Sequence, residues 1–201
     1  MGERVVTAWE WGDWGERTVR KWYRDQGYFV VPTSAIEMGG APKLVGLLQA
    51  HVLPDMQAAQ AGEMRWVEIK FKTAPVLYRK TGTWRHGVDL SNWLAYLEVE
   101  RITGIPGELA IVQLRPGPKA DSSLLLLRAT FATLRGLGQE ITYPDGKDVV
   151  VWDVDRFDRF PITDHAIPDL RSLRSVVHPW EQPGADGVAP QMGPKQEMFP
   201  W

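Results

Sequence analysis

Residues 53–72 read LPDMQAAQAGEMRWVEIKFK, and this stretch decides the fold. Its second half alternates with the period of a β-strand: Val67, Ile69 and Phe71 share one face, and Glu68, Lys70 and Lys72 share the other. Ala61-Gly62 supplies the turn before it. A hairpin turning there pairs positions whose numbers have a constant sum, so Gln60 faces Glu63 and, carried outward, Asp55 faces Glu68. Two acids in that relation destabilise a sheet, unless a cation lies between them or one of them takes up a proton. Lys70, two residues beyond Glu68, projects from the same face. One bulge would shift this register by a residue.

The ligand types select the ion. Carboxylate oxygens with no neighbouring histidine or cysteine set favour a hard cation, Mg²⁺ or Mn²⁺, over zinc. Such an ion polarises a phosphoryl oxygen and makes hydroxide available near neutral pH, which points to phosphodiester cleavage. Lys70 has three roles open to it: orienting the water, helping to deprotonate it, or stabilising the charge that accumulates on phosphorus.

Working outward, residues 14–26 are predicted to form a helix. Asp13 is its N-cap, Glu16 completes a capping box and Gly27 ends it. Val19, Trp22 and Tyr23 make the inward stripe, with Glu16 at its edge. Residues 28–31 read as a strand ended by Pro32, 33–42 as a loop, and 44–58 as mostly extended. Residues 73–87 read as a loop rich in aromatic and basic side chains. A helix over 90–103 is stopped by Gly104 and Pro106. Apolar strands follow at 109–114 and 124–127, then a short helix within 130–137. A hairpin of 141–143 with 149–154 closes across Pro144-Asp145-Gly146-Lys147. Pro168-Asp169 lacks a following Glu-x-Lys strand and is assigned to a turn, as is Pro144-Asp145.

The chain of 201 residues suits one α/β domain, taken as residues 1–177, with a flexible Pro-rich tail over 178–201. A hydrophobic fraction of 44% with 24% charged residues is that of a soluble globular protein, and no apolar run suits a membrane span. The first residues carry no secretory signal. The absence of cysteine excludes disulfides, thiolate catalysis and cysteine zinc sites, and makes the cytoplasm the expected location. The net charge of −2 is unusual for a nucleic-acid protein, so local clusters must supply the positive field. Two clusters do: Arg17, Arg20, Lys21 and Arg24, and Arg65, Lys70, Lys72, Arg79, Lys80 and Arg85.

Leu53-Pro54-Asp55, then Trp66-Val67-Glu68-Ile69-Lys70, preceded by a helix carrying Glu16, resembles the PD-(D/E)XK nuclease superfamily, in particular its Holliday-junction-resolvase-like and phage or repair branches. The likeness spans about residues 14–114. It implies an α/β fold with a restriction-endonuclease-like core: a central mixed β-sheet flanked by helices, in the order helix, three antiparallel strands, helix, further strand. It also implies that Asp55 and Glu68 are metal-binding acids, that Glu16 completes the site and that Lys70 is the catalytic lysine. Where RecB-type exonucleases carry a glutamine and, four residues later, a tyrosine on the next helix, this chain has Asn92 and Tyr96, a departure from that subclass.

The expected function is therefore a Mg²⁺- or Mn²⁺-dependent nuclease acting on DNA. Lys72, Arg79, Lys80 and Arg85, with Arg17 and Arg20, would hold the phosphate backbone. A resolvase would act as a homodimer, and the tail with Phe199 and Trp201 is either a short motif for a protein partner or a disordered end that merely holds two aromatic residues. Two rival readings follow from the same residues: a non-catalytic nucleic-acid-binding module, and an adaptor in a replication or repair assembly. Glu68, Lys70 and Lys72 would then be only the solvent face of a strand. His51 and His86 are ligands, general bases or structural groups, and Tyr78 and Trp84 stack on bases or anchor a loop.

Overall fold

A computed structural model describes residues 8–33, 43–45, 50–72, 74–78, 81–115, 123–143 and 145–162. The expected tail, Arg79, Lys80 and Pro168-Asp169 lie outside the described residues. The chain opens with α1 (Ala8–Asp25), followed by β1 (Phe29–Pro32), β2 (Lys43–Val45), β3 (Ala50–Val52), β4 (Met56–Gln60) and β5 (Glu63–Lys72). Then come β6 (Val76–Tyr78), β7 (Thr83–Asp89), α2 (Leu90–Thr103), β8 (Gly107–Arg115), β9 (Ser123–Thr130) and α3 (Phe131–Leu134). The last strands are β10 (Gln139–Thr142), β11 (Asp148–Asp153) and β12 (Asp158–Ile162).

The hairpin that decides the fold forms in the expected register. Ala61 (φ 51°) and Gly62 (φ 86°) both take the left-handed conformation of a two-residue turn that matches strand twist. Gln60 therefore pairs with Glu63, and the ladder runs back to Met56 opposite Val67. Asp55 stands one step beyond the last paired position. There the chain turns away: the Asp55 carbonyl accepts from Thr33 N at 3.0 Å, and the Asp55 side chain, not its backbone, meets Ile69 N at 2.8 Å.

Six strands form the central sheet in the order β1-β4-β5-β8-β9-β12. All neighbours run antiparallel except β5 and β8, which are parallel and joined through α2. Helix, antiparallel β1, β4 and β5, helix, then β8 beside β5 is the restriction-endonuclease-like core. One face packs on α1 through Trp14, Val19 and Tyr23 against Val67, Ile69, Ala110 and Val112. The other packs on α2 and on a second sheet, β10-β11-β7-β6, through Trp93, Tyr96, Val88 and Trp152 against Leu109, Ile111 and Leu127. The α2 face of β5, which carries Glu68 and Lys70, is thus an interior layer and not the solvent face of a strand.

Three expectations need correction. Helix α1 begins at Ala8, so Asp13 is no N-cap and Glu16 no capping-box acid; both lie inside the helix. Tertiary packing extends it: Trp11 stacks on Phe71 with ring centroids 5.1 Å apart and Trp14 meets the same ring edge-on. Gly15 permits this close approach, since a Cβ there would lie 3.1 Å from the Phe71 Cβ. The expected loop over 73–87 contains β6 and most of β7, because β7 pairs with the distant β11, a partner that local patterning does not reveal. The expected single extended run over 44–58 is divided among β2, β3 and β4, with β2 and β3 forming their own small hairpin. The hairpin over 141–154 and the helix over 90–103 form where expected, the latter ended by Gly104 at φ 67°.

Candidate active site

The bend at Pro54-Asp55, the middle of β5, the second turn of α2 and the inward edge of α1 meet around Glu68. Only 1% of Glu68 is exposed. Its Oε1 accepts the Tyr96 hydroxyl at 2.6 Å and forms an ion pair with the Lys70 ammonium. Its Oε2 is buried with no hydrogen-bond partner. Burial raises the pKa of Glu68 against the opposing pull of Lys70 and Tyr96. A buried carboxylate oxygen left unsatisfied costs about 1–3 kcal/mol or more, and such groups are rare in folded proteins.

Asp55 is the neighbouring acid. Burial, then the Glu68 charge, push its pKa up to about 7, opposed by Lys70 and by the hydrogen bond from Ile69 N. Burial would lower Lys70, but the Glu68 and Asp55 carboxylates outweigh it and the net shift is upward, so the amine is held protonated. Glu16 feels the same field: burial and then Asp55 raise it, while Arg20 opposes at an ion-pair distance of 2.6 Å. The four side chains expected to act together thus share one electrostatic neighbourhood, reached from three separate elements.

Among the described residues, no three acid or histidine side chains stand close enough to form a ready ion cage. Glu16 is turned to Arg20, and Lys70 occupies one oxygen of Glu68. The residues present nonetheless fit a divalent cation, because the Asp55 and Glu68 oxygens are hard donors and Glu68 Oε2 lacks a partner.

The expected phosphate-binding residues are placed as follows. Lys72 follows Lys70 on the same face of β5 and is lowered in pKa by burial, then by the Lys70 charge. Arg85 is committed within the protein: it donates to Asp153 at 2.8 Å and Gln139 at 2.6 Å, and lies over the Tyr78 ring at 4.1 Å. Arg17 is paired with Asp13 at 3.0 Å and Arg20 with Glu16. His86 is buried, with Nε2 2.7 Å from Gln113 Oε1, and burial pushes its pKa down to about 4, which favours the neutral ring. Trp84 is 53% exposed.

Two further polar groups have partners that the sequence does not reveal. Glu108 lies in β8 at the edge of an apolar run, bound by Arg128, Arg65 and Tyr23. Asp89, at the end of β7, pairs with Lys147 at 2.9 Å. The signal for Glu108 was a lone acid abutting one apolar strand and a lone arginine abutting the next; the pairing of Asp89 had none, since Lys147 reaches it from a distant turn.

No protein-family model matches the chain, and no curated protein does. Among solved structures, the chain is similar to Hjc, a Holliday junction resolvase of the archaeal hyperthermophile Archaeoglobus fulgidus. That match has 12% sequence identity and a TM-score of 0.44, and covers 75% of this chain and 91% of the other. A likeness at that level leaves the site to be read from this chain's own contacts.

Proposed function

We propose that the chain is a divalent-metal-dependent nuclease that hydrolyses DNA phosphodiester bonds. The observation that carries this reading is Glu68 Oε2, a buried carboxylate oxygen without a partner, beside a second acid whose proton affinity is raised by burial and by Glu68 itself. Structural packing alone gives no reason to place two such acids together, whereas a bound cation would relieve both.

Asp55 and Glu68 would hold Mg²⁺ or Mn²⁺, with Glu16 joining on release from Arg20. The ion would supply Lewis acidity at a phosphoryl oxygen and a more acidic water. Lys70, kept protonated by the flanking carboxylates, offers an ammonium donor where negative charge develops on the phosphoryl group. Tyr96 fixes the Glu68 carboxylate by donating to Oε1, and Oε2 would remain available to hold the cation. The Ile69 N–H bond does the same for Asp55.

Purified wild-type protein should cut labelled DNA with Mg²⁺ or Mn²⁺ and stop when chelator is added. Asp55→Ala and Lys70→Ala should remain folded by circular dichroism and lose cleavage by at least about 1000-fold, on the scale of lost electrostatic catalysis. Wild-type cleavage by folded Lys70→Ala would sink the mechanism. Branched, nicked and single-stranded substrates tested together would determine whether recognition depends on DNA structure, as a role in recombination or repair requires. The rival reading, a non-catalytic binding module, is favoured by the cationic partners that Glu16 and Glu68 already have. It predicts DNA binding with no cleavage in either metal.

A further inference from the structure

A cleft of about 160 Å³ opens between the end of β5, at Lys72, and the second sheet. Its walls include Lys72 from β5, His86 and Asp89 from β7, and Tyr143 and Lys147 from the turn between β10 and β11. Three hydrogen bonds tie the turn together: Tyr143 N donates to Lys147 O at 2.9 Å, Gly146 N to Tyr143 O at 2.8 Å, and Lys147 N to Asp145 Oδ1 at 3.1 Å. Lys147 is presented from this hydrogen-bonded turn.

Charge in this cleft is unbalanced. Lys72 makes no ion pair among the described residues, and the charges it feels from Lys70 and Lys147 are repulsive. Asp89 is the opposing acid there, sensed by Lys70, Lys72 and Lys147 alike. The pair it forms with Lys147 is open to solvent, the two side chains being 40% and 54% exposed, so it contributes little and exchanges readily. Asp89 also stands at the N-cap of α2 without capping it through its side chain. No capping hydrogen bond therefore ties its carboxylate to the helix.

We propose that this cleft is a phosphate subsite for the bound strand: a backbone phosphodiester displaces Asp89 from Lys147 and is gripped by Lys72 and Lys147, next to the phosphate that faces Lys70. The subsite rests on the nuclease reading. It assigns to the turn between β10 and β11, outside the core that carries the acids, the task of setting where the strand lies across the site. A phosphodiester suits the cleft because it brings a single negative charge and two acceptor oxygens to two ammonium groups. The half-buried Tyr143 phenol stands on the same wall.

The test is binding of labelled single-stranded and duplex DNA to the full chain in EDTA, followed by anisotropy across a salt series. Removing one phosphate-binding lysine should flatten the dependence of log affinity on log salt by about one. Lys147→Ala should do so once, and Lys72→Ala/Lys147→Ala about twice, with affinity falling at least about tenfold near 0.1 M salt. Asp89→Asn, which loses no side-chain cap, should tighten binding several-fold and serves as the folded control. An unchanged slope and affinity in the double variant, while wild type binds, would overturn the subsite. Inorganic phosphate or a mononucleotide saturating the cleft without competing with DNA would assign it to a free anion and equally overturn it. DNA held through these lysines but cut in no metal would fail the nuclease reading and leave the subsite standing.

Discussion

Glu68 and Glu108 sit one register step apart in neighbouring parallel strands, Glu68 opposite Leu109 and Val67 opposite Glu108, yet on opposite faces of the sheet. Each is almost fully buried, and each receives a tyrosine hydroxyl from the helix covering its face, Tyr96 from α2 and Tyr23 from α1. Their remaining partners differ. Both oxygens of Glu108 are engaged by Arg128, with Arg65 as a further donor at 3.2 Å. Arg128 in turn is stacked over Trp22, Tyr23 and Phe160. Hydrogen bonds from Arg128 and its charge overcome burial and hold the pKa of Glu108 low. Glu68 has one cation, one unsatisfied oxygen, an acid beside it and a raised pKa. The same residue type in the same sheet is thus satisfied at one place and left frustrated at the other. Frustration of this kind destabilises the protein on its own and is retained where a ligand relieves it.

Breaking the satisfied member should have the largest effect on folding. Glu108→Ala leaves Arg128 and Tyr23 facing each other without their acceptor, and should cost about 3–5 kcal/mol in chemical denaturation. It would lower stability equally with and without metal. A loss under about 1 kcal/mol would mean that the cluster is ornamental.

Metal should move the other member. At a concentration about a hundredfold above its Kd, Mn²⁺ bound to the native state alone adds about 2.7 kcal/mol, read as a rise in Tm. Glu68→Gln should abolish that rise. A metal-induced shift of the same size in Glu68→Gln would place the ion elsewhere.

The pH dependence of the metal-free protein comes next. Asp55 moves from an ordinary 3.8 to about 7 on folding, so the folded state holds its proton more tightly than the unfolded chain. Its contribution favours folding fully below the lower value and is lost as pH rises through the upper one. Asp55→Asn should therefore stabilise the metal-free protein by about 2 kcal/mol near pH 8 and have little effect near pH 3. The opposite sign would show that Asp55 is well solvated when ionised.

The smallest effect is expected from Tyr96→Phe. It removes one donor from Glu68, and should cost about 1 kcal/mol in stability. It should weaken cation affinity more than its cost in stability suggests, because the carboxylate loses its orientation.

These contrasts also explain what was legible in the sequence. The register between Asp55 and Glu68 could be read because a two-residue turn at Ala61-Gly62 fixes it locally. The ends of α2 could be read because Gly104 enforces a left-handed stop. The true start of α1 could not, since it depends on Trp11 meeting Phe71, a contact between distant elements. β7 was hidden for the same reason: its partner is β11. Glu68 was legible as a charged position in an alternating strand, but its burial was not, because α2 and the second sheet cover a face whose pattern alone resembles a solvent face. Arg85 was read as a phosphate ligand from its place in a basic run, yet it is held by Asp153 and Gln139.

The most direct measurement is cleavage of a panel of labelled branched, nicked and single-stranded DNAs by wild type and folded Glu68→Gln, in Mg²⁺ and in Mn²⁺. Wild type should cut at least one substrate in a chelator-sensitive manner, and Glu68→Gln should be slower by at least about 1000-fold. Equal rates for the two proteins, or intact DNA throughout with wild type, would contradict the assignment of this buried carboxylate, with its partnerless Oε2, to phosphodiester hydrolysis.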